Sequence, residues 1–184
     1  MEFRKLTTEA HNILSKHIKY GDKVIDATLG NGIDTLFLAK KVGEKGRVFA
    51  FDIQKNAIIK TKKLLKKNNI SDIVTIVNNS HETMKLKLPV GWLGKVRAVM
   101  FNLGYLPGGD KNIITKPDST VKALDASFQF LEKGGLLTII AYKSHPGGKH
   151  EFHEVSDWVK KYDLFLSCKI YTTNDPILYI CKKL

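Results

Sequence analysis

Cysteine and long apolar segments are both scarce in this 184-residue chain. Its two cysteines, Cys168 and Cys181, are too few and too far apart in sequence for a cysteine metal site or a disulfide scaffold. No apolar run approaches the roughly 20 residues that a membrane-spanning helix requires. The chain also opens on a polar helical pattern rather than the apolar core of a secretion signal. We therefore expect a cytoplasmic protein with reduced cysteines, no bound metal and no membrane contact.

Acidic residues are outnumbered by basic ones. The chain has 18 Asp and Glu against 30 Lys and Arg, which gives a formal net charge of +12. Such an excess favours a polyanionic partner such as a nucleic acid, because the neutralisation of phosphates releases counterions. Lysine-rich stretches such as residues 60–67 are equally compatible with a solvated helix face. The charge alone leaves both interpretations open.

Strand and helix patterns alternate from residue 24 onward, which is typical of a parallel sheet covered by helices on both faces. An amphipathic helix with a capping signal at its start is predicted before the first strand, at residues 7–18. The predicted strands are 23–28, 47–52, 73–77, 96–101, 135–141, 164–171 and 177–182. The predicted helices are 32–42, 55–68, 150–162 and one that Asp118 or Ser119 caps and that runs to about Leu131. The whole chain, 1–184, is expected to form one domain, in which residues 1–20 pack on the site or close over it.

The last two predicted strands flank residues 172–176, whose Asn, Asp and Pro have turn chemistry. They predict a closing antiparallel hairpin, and the expected architecture is α/β and Rossmann-like, with a mostly parallel sheet of seven strands. Cys168 and Cys181 are equidistant from the centre of this turn, so a symmetric hairpin places them opposite each other. A reducing cytoplasm leads us to expect free thiols there.

The turn after the first strand is the most informative segment. Residues 24–32, VIDATLGNG, pass from an apolar strand into a turn with Gly30 and Gly32, and glycine lets the backbone turn tightly and approach a ligand. The second strand ends in Asp52, about 20 residues further on, where a ribose-binding carboxylate is expected. This combination indicates a nucleoside-containing cofactor. A chance pair of glycines in an ordinary turn is the alternative.

Two details distinguish between such cofactors. A dinucleotide-binding turn has a third glycine three residues after the second, whereas this chain has Thr35. Asp26 would repel a pyrophosphate, whereas a cationic sulfonium with an amino-acid tail tolerates a carboxylate. The pattern resembles the cofactor site of class I S-adenosylmethionine-dependent methyltransferases. That resemblance implies binding of S-adenosylmethionine by residues at the strand ends: Asp26, Thr28, Gly30, Asn31, Gly32, Asp34, Thr35, Asp52, Gln54, Ser80, His81 and Asn102.

Loops at the same rim of the sheet contain candidates for chemistry. Asn102 and Tyr105 have the spacing of the Asn-Pro-Pro-Tyr motif of amino-group methyltransferases, in which Asn engages the nitrogen and the ring stacks on a flipped base. Here Leu103 and Gly104 fill the middle positions, so the loop need not have the same shape, and an ordinary surface turn is the alternative.

Histidines and lysines also occur near this rim. His81 follows the third strand, where adenine is expected in this fold, and is equally compatible with a cap at the surface. His145 is a candidate for acid–base chemistry near neutral pH. Lys143 and Lys149 are candidates for holding phosphates, although each is also compatible with a plain loop position. His11, on the first helix, is either structural or part of a lid.

Three segments together resemble the YtqB-type family, whose members have long been labelled rRNA methylases. They are residues 26–35 (DATLGNGIDT), residues 102–111 (NLGYLPGGDK) and residues 142–148 (YKSHPGG). The resemblance covers essentially the whole chain and implies methylation of the amine of 5-aminomethyl-(2-thio)uridine at the wobble position of tRNA. Methylation of rRNA, methylation of a small molecule on oxygen or nitrogen, and a non-catalytic RNA-binding role are the alternatives.

The resemblance also implies roles and partners. Asn102 and Tyr105 would orient the neutral amine, and His145 or Asp110 would accept its proton. No metal is required, because the methyl donor is already activated. The expected partners are the anticodon stem–loop of tRNA and, as a homodimer, a second copy of the chain.

Overall fold

The molecule is built around one mixed β-sheet. The computed structural model describes residues 2–110 and 112–184. Lys111, the last residue of the second family segment, lies outside these residues. The strands are β1 (Lys23–Asp26), β2 (Arg47–Asp52), β3 (Val74–Asn78), β4 (Val96–Asn102), β5 (Leu131–Ala141), β6 (Leu166–Thr172) and β7 (Ile177–Lys183). Their order in the sheet is β3-β2-β1-β4-β5-β7-β6. The first five strands pair in parallel and β7 runs antiparallel to both of its neighbours, which confirms the predicted architecture.

Helices cover both faces of the sheet. They are α1 (Glu2–His17), α2 (Ile33–Val42), α3 (Lys55–Lys67), α4 (Met84–Lys87), α5 (Pro117–Phe130) and α6 (Gly148–Lys161). Successive strand residues point to opposite faces, so Val24 packs in one core cluster with α1 and α2, whereas Ile25 packs in another with α5 and α6. No helix within the described residues is long and apolar enough to cross a membrane.

Two predicted helix starts are wrong. α1 begins at Glu2, so the threonines at its predicted start lie inside the helix. α5 begins at Pro117, which favours the first helical position because its missing N–H would have no partner there. Lys116 is therefore the N-cap residue, and Ser119 instead donates a hydrogen bond to the Lys116 carbonyl.

Two strand boundaries also differ from the prediction. β1 ends at Asp26 rather than at residue 28, because the next residues form the glycine turn. β5 starts at Leu131 rather than at residue 135. Gly134 and Gly135 lie inside the strand and do not end it. The register of the β4–β5 pairing shifts near Val96, and this irregularity accommodates the two glycines.

The two cysteines lie directly opposite each other in β6 and β7. This position was predicted, but Cys168 and Cys181 form a disulfide, so the expectation of free thiols is wrong. That expectation followed from a reducing compartment, although the same hairpin places the two cysteines opposite each other. The cross-strand register brings the two sulfur atoms together regardless of the compartment.

Candidate active site

The carboxyl ends of β1, β2 and β4 bring the predicted acidic and amide residues to one edge of the sheet. Asp26 ends β1, Asp52 ends β2 and Asn102 ends β4. β1 and β4 are neighbours although they are not consecutive, so the strand order reverses between them. Ligands of doubly wound sheets bind at this kind of crevice.

Asp26 is fully buried and held by two neighbours. Its Oδ1 accepts the Thr28 amide at 3.0 Å, and its Oδ2 accepts the Thr35 hydroxyl at 2.5 Å. Burial, together with the nearby Asp34 charge, raises the pKa of Asp26 to about 7, although the two hydrogen bonds act in the opposite direction. A neighbouring cation would favour the ionised form of this carboxyl.

Asp52 joins the glycine turn to the end of β2. Its Oδ2 accepts the Gly30 amide at 2.9 Å, and its Oδ1 accepts the Gln54 amide at 2.8 Å. Burial raises the pKa of Asp52, and these backbone hydrogen bonds counteract it in part. The carboxylate keeps acceptor capacity beyond these backbone contacts, which a ligand hydroxyl can use.

Gly32 is required by both its backbone angle and its surroundings. Its φ is +79°, and it is the N-cap residue of α2. A Cβ at this position would lie 2.5 Å from the Thr61 hydroxyl oxygen.

Asn31, in the same turn, contacts the loop after β4: its Nδ2 donates to the Pro107 carbonyl at 3.1 Å. The glycine turn is thereby tied to the loop that follows β4.

α1 reaches the site through one histidine. His11 Nε2 lies 2.7 Å from Asp34 Oδ1, and its ring stacks on Phe37 with centroids 3.9 Å apart. Asp34 belongs to the predicted cofactor residues, whereas the sequence is compatible with either a structural role or a lid role for His11. The structure places His11 beside the site, in contact with Asp34.

Asn102 is fixed by contacts from both sides. Its backbone N–H donates to the Thr28 hydroxyl at 2.8 Å, and its side-chain Oδ1 accepts the Tyr142 hydroxyl at 3.3 Å. Burial raises the pKa of Tyr142, so the hydroxyl stays protonated and donates. Tyr142 was not among the predicted site residues, although it opens the third family segment.

Tyr105 and His145 come together across two loops. Tyr105 is 42% exposed, and its ring meets the His145 ring edge-on with centroids 6.2 Å apart. His145 Nδ1 lies 2.9 Å from the Pro146 carbonyl, which can only accept, so this nitrogen carries the proton. The other ring nitrogen, Nε2, is buried without a partner among the described residues. Asp110 lies in an exposed turn, where its Oδ1 accepts the Asn112 backbone amide.

His81 is buried, which excludes the surface-cap interpretation. Its Nδ1 lies 3.2 Å from the Ala27 carbonyl, and burial lowers its pKa, so the ring is neutral and this nitrogen donates. Ser80 instead caps the short 3-10 turn that follows β3, because its hydroxyl accepts the Glu82 amide.

Two acidic residues that the sequence did not single out support the loops of the site. Asp175 accepts the amides of Lys143 and Ser144. Burial acts to raise the pKa of Asp175, but the hydrogen bonds outweigh it and the pKa is lowered. Glu151 is buried in the first turn of α6. Their contacts depend on how distant elements pack, which no local pattern reports. Within the described residues, no His, Cys, Asp and Glu side chains group as metal ligands.

The family model described as "Putative rRNA methylase" matches residues 48–178, which is more than half of the chain. The chain belongs to this family. A model of protein-L-isoaspartate (D-aspartate) O-methyltransferase matches residues 5–90.

Relatives cover nearly the whole chain. A chloroplastic tRNA (mnm(5)s(2)U34)-methyltransferase of Arabidopsis thaliana is 40% identical over 95% of this chain, which spans 66% of that relative's length. A crystal structure described as a "putative rRNA-methylase", from Clostridium thermocellum, is 39% identical with a TM-score of 0.91 and covers 97% of each chain. A crystal structure described as "a putative methyltransferase", from Streptococcus mutans in complex with SAH, is 33% identical with a TM-score of 0.85, over 97% of this chain and 98% of the other. The predicted fold and family, and the methyltransferase class, are confirmed.

Proposed function

We propose that the protein is an S-adenosylmethionine-dependent N-methyltransferase that acts on the amine of 5-aminomethyl-(2-thio)uridine at the wobble position of tRNA. The observation that carries the proposal is the placement of Asn102. It lies where the strand order reverses, with Oδ1 held by Tyr142 and an exposed aromatic ring, Tyr105, three residues further on. The similarity to the Arabidopsis tRNA methyltransferase supports tRNA as the substrate.

The residues of the glycine turn fit the cofactor. Asp52 keeps acceptor capacity for a ribose hydroxyl, while the hydrogen bond that it accepts from the Gly30 amide holds the turn beside it. Asp26 and Asp34 supply the acidic surroundings that a sulfonium and an ammonium group require. When bound, S-adenosylmethionine supplies an activated methyl group on sulfur, from which a neutral thioether departs.

The acceptor amine is oriented by Asn102. Oδ1 has two lone pairs, and the Tyr142 hydroxyl occupies one of them. The second accepts an N–H of the substrate amine and thereby directs the nitrogen lone pair toward the methyl group. Tyr105 offers its exposed face to the uracil ring, since stacking on an aromatic side chain is how single-stranded bases are commonly held.

His145 accepts the amine proton in this proposal. An alkylamine is mostly protonated in water and must lose a proton before it can attack. Because Nδ1 already donates to the Pro146 carbonyl, Nε2 is the ring nitrogen that would accept this proton. Asp110 is the weaker choice, because it is exposed and already holds the turn at Asn112. The anticodon stem–loop as the bound element, a homodimer and a cytoplasmic location stay predictions.

The proposal is tested by methyl transfer from labelled cofactor to tRNA that carries aminomethyluridine. We expect label in the wobble nucleoside, identified by mass spectrometry after digestion, and none in the same tRNA without the aminomethyl group. Ribosomal RNA is the parallel substrate. Label on rRNA alone, or on tRNA lacking the amine, would overturn the proposal.

A further inference from the structure

Glu151 is a buried carboxylate that the proposed reaction does not use. It is 2% exposed and forms no ion pair among the described residues. Its two oxygens instead accept hydroxyl groups from different segments: Oε2 accepts Thr115 and Oε1 accepts Thr120, each at 2.6 Å. A buried carboxylate needs such donors, because its removal from water is otherwise costly.

Thr115 passes this contact on to the loop after β4. Its hydroxyl accepts the Gly104 amide at 2.8 Å, and its own amide donates to the Gly104 carbonyl, also at 2.8 Å. The Thr115 hydroxyl has one proton, which it donates in the hydrogen bond to Glu151. The lone pairs of the same oxygen are therefore available to accept the Gly104 amide. Gly104 is the residue immediately before Tyr105, with a φ of +112° that a side chain would disfavour.

The backbone of Glu151 also contacts the His145 loop. The Glu151 amide donates to the Gly147 carbonyl at 3.1 Å, and the Gly148 amide donates to the His145 carbonyl at 2.9 Å. Glu151 therefore connects the two loops at whose junction the Tyr105 and His145 rings meet.

We propose that Glu151 and Thr115 are positioning residues, which hold the loop of Asn102 and Tyr105 against the loop of His145. This inference rests on the proposed function. Thr120 provides a matched comparison, because it donates an equally short hydrogen bond to Glu151 from α5 but is not linked to Gly104. A merely structural role would make Thr115 and Thr120 equivalent.

The test compares Thr115→Val with Thr120→Val in the full chain. Misplaced reacting groups lose rate steeply, so we expect Thr115→Val to lower kcat for tRNA by about tenfold or more and Thr120→Val by no more than about threefold. SAH affinity should stay within about twofold of wild type in both variants, because Gly104 is outside the residues proposed to hold the cofactor. Thr115→Ser, which restores the hydroxyl, should recover most of the rate. Equal losses of kcat in both valine variants would overturn the proposal.

Two further measurements separate this inference from the proposed function. Amide hydrogen exchange at Gly104, resolved by NMR in the free protein, should be at least about tenfold faster in Thr115→Val than in Thr120→Val. Unchanged protection of Gly104 would refute the positioning role even if tRNA were methylated. If the wild-type protein methylated no tRNA, the proposed function would fail, while the exchange comparison would still decide whether Thr115 holds Gly104. Should Thr115→Val not fold, Thr115→Ala and Thr120→Ala provide the same comparison, because alanine also removes one hydroxyl at a time.

Discussion

Thr35 donates a 2.5 Å hydrogen bond to Asp26, and both side chains are fully buried. Each residue is unfavourable for a dinucleotide cofactor for its own reason. Thr35 occupies the position of the third glycine, and Asp26 would repel a pyrophosphate. The two features are therefore structurally linked, because Thr35, which replaces the glycine, donates the hydrogen bond that the buried Asp26 carboxylate needs.

Asp26 should make stability depend on pH. Its pKa is about 7 in the folded protein against an ordinary value of 3.8 for aspartic acid, so the unfolded chain ionises first as the pH rises. Stability from this group is present below about pH 4 and is lost progressively up to about pH 7. Asp26→Asn removes the titration. Urea denaturation should therefore show that the variant gains roughly one to a few kcal/mol on wild type between pH 5 and pH 8. Parallel pH curves for the two proteins would contradict the raised pKa.

Asp52→Ala should weaken binding of the cofactor. Hydrogen bonds to a charged group contribute roughly 1.5–3 kcal/mol, and calorimetry with SAH should register a loss of that order. Asn78→Ala is the control, because Asn78 Nδ2 donates to the carbonyls of Asp52 and Ile53 and its loss disturbs the same backbone without removing the carboxylate. Affinity that stays unchanged in Asp52→Ala would remove Asp52 from the cofactor site.

Asn102→Ala should lower turnover much more than cofactor affinity. Its proposed partner is the reacting nitrogen, and an interaction made in the transition state appears in kcat. Tyr142→Phe removes the hydroxyl that donates to Asn102 but leaves the Asn102 side-chain amide in place. The kcat of Tyr142→Phe should therefore fall less than that of Asn102→Ala. Steady-state kinetics and SAH calorimetry on both variants provide the comparison. Equal turnover in Asn102→Ala and wild type would exclude Asn102 from the chemistry.

Gly32→Ala should destabilise the protein more than a left-handed backbone alone explains. Gly94 is the control, since its φ is +64° and a Cβ there meets nothing within 4 Å. Both alanine variants carry backbone strain of about 1–2 kcal/mol, but only Gly32→Ala also collides with Thr61. Thermal unfolding should rank Gly32→Ala below Gly94→Ala, and adding Thr61→Ala should restore part of the difference. The reverse ranking would show that the turn relaxes freely.

Binding of tRNA should weaken steeply with salt. The logarithm of affinity should fall with the logarithm of salt concentration by about 0.7–0.9 for each phosphate contact. Lys149→Gln, beside the His145 loop, should make this slope shallower by about one contact. Lys133→Gln, near the start of β5 and so away from the carboxyl ends of the parallel strands, should leave it unchanged. A flat salt dependence for the wild-type protein would mean that the positive charge is only a solvated surface.

The sequence predicted those features that local residues determine. Buried parallel strands appear as apolar runs, and the turn at Gly30 and Gly32 followed by Asp52 has a spacing that reports its geometry directly. The burial of His81 could not be predicted, since the same residue after a strand suits a surface cap equally well. The Glu151 contacts arise only when α6 packs against α5. The hairpin register predicted the facing cysteines, but the expected reducing compartment led to a prediction of free thiols instead of the cystine.

The docking of α1 has a consequence for the order in which the molecule assembles. Leu14 of α1 packs in the same core cluster as Leu178 of β7, so this part of the core forms only after a strand that is synthesised more than 160 residues after Leu14. Contacts between such distant parts of a chain slow folding, because a long loop must close before they form. His11 reaches Asp34 through this docking. Completion of the pocket is therefore expected to be a late event of folding, and a nascent chain that lacks β7 would not yet bind its ligand productively.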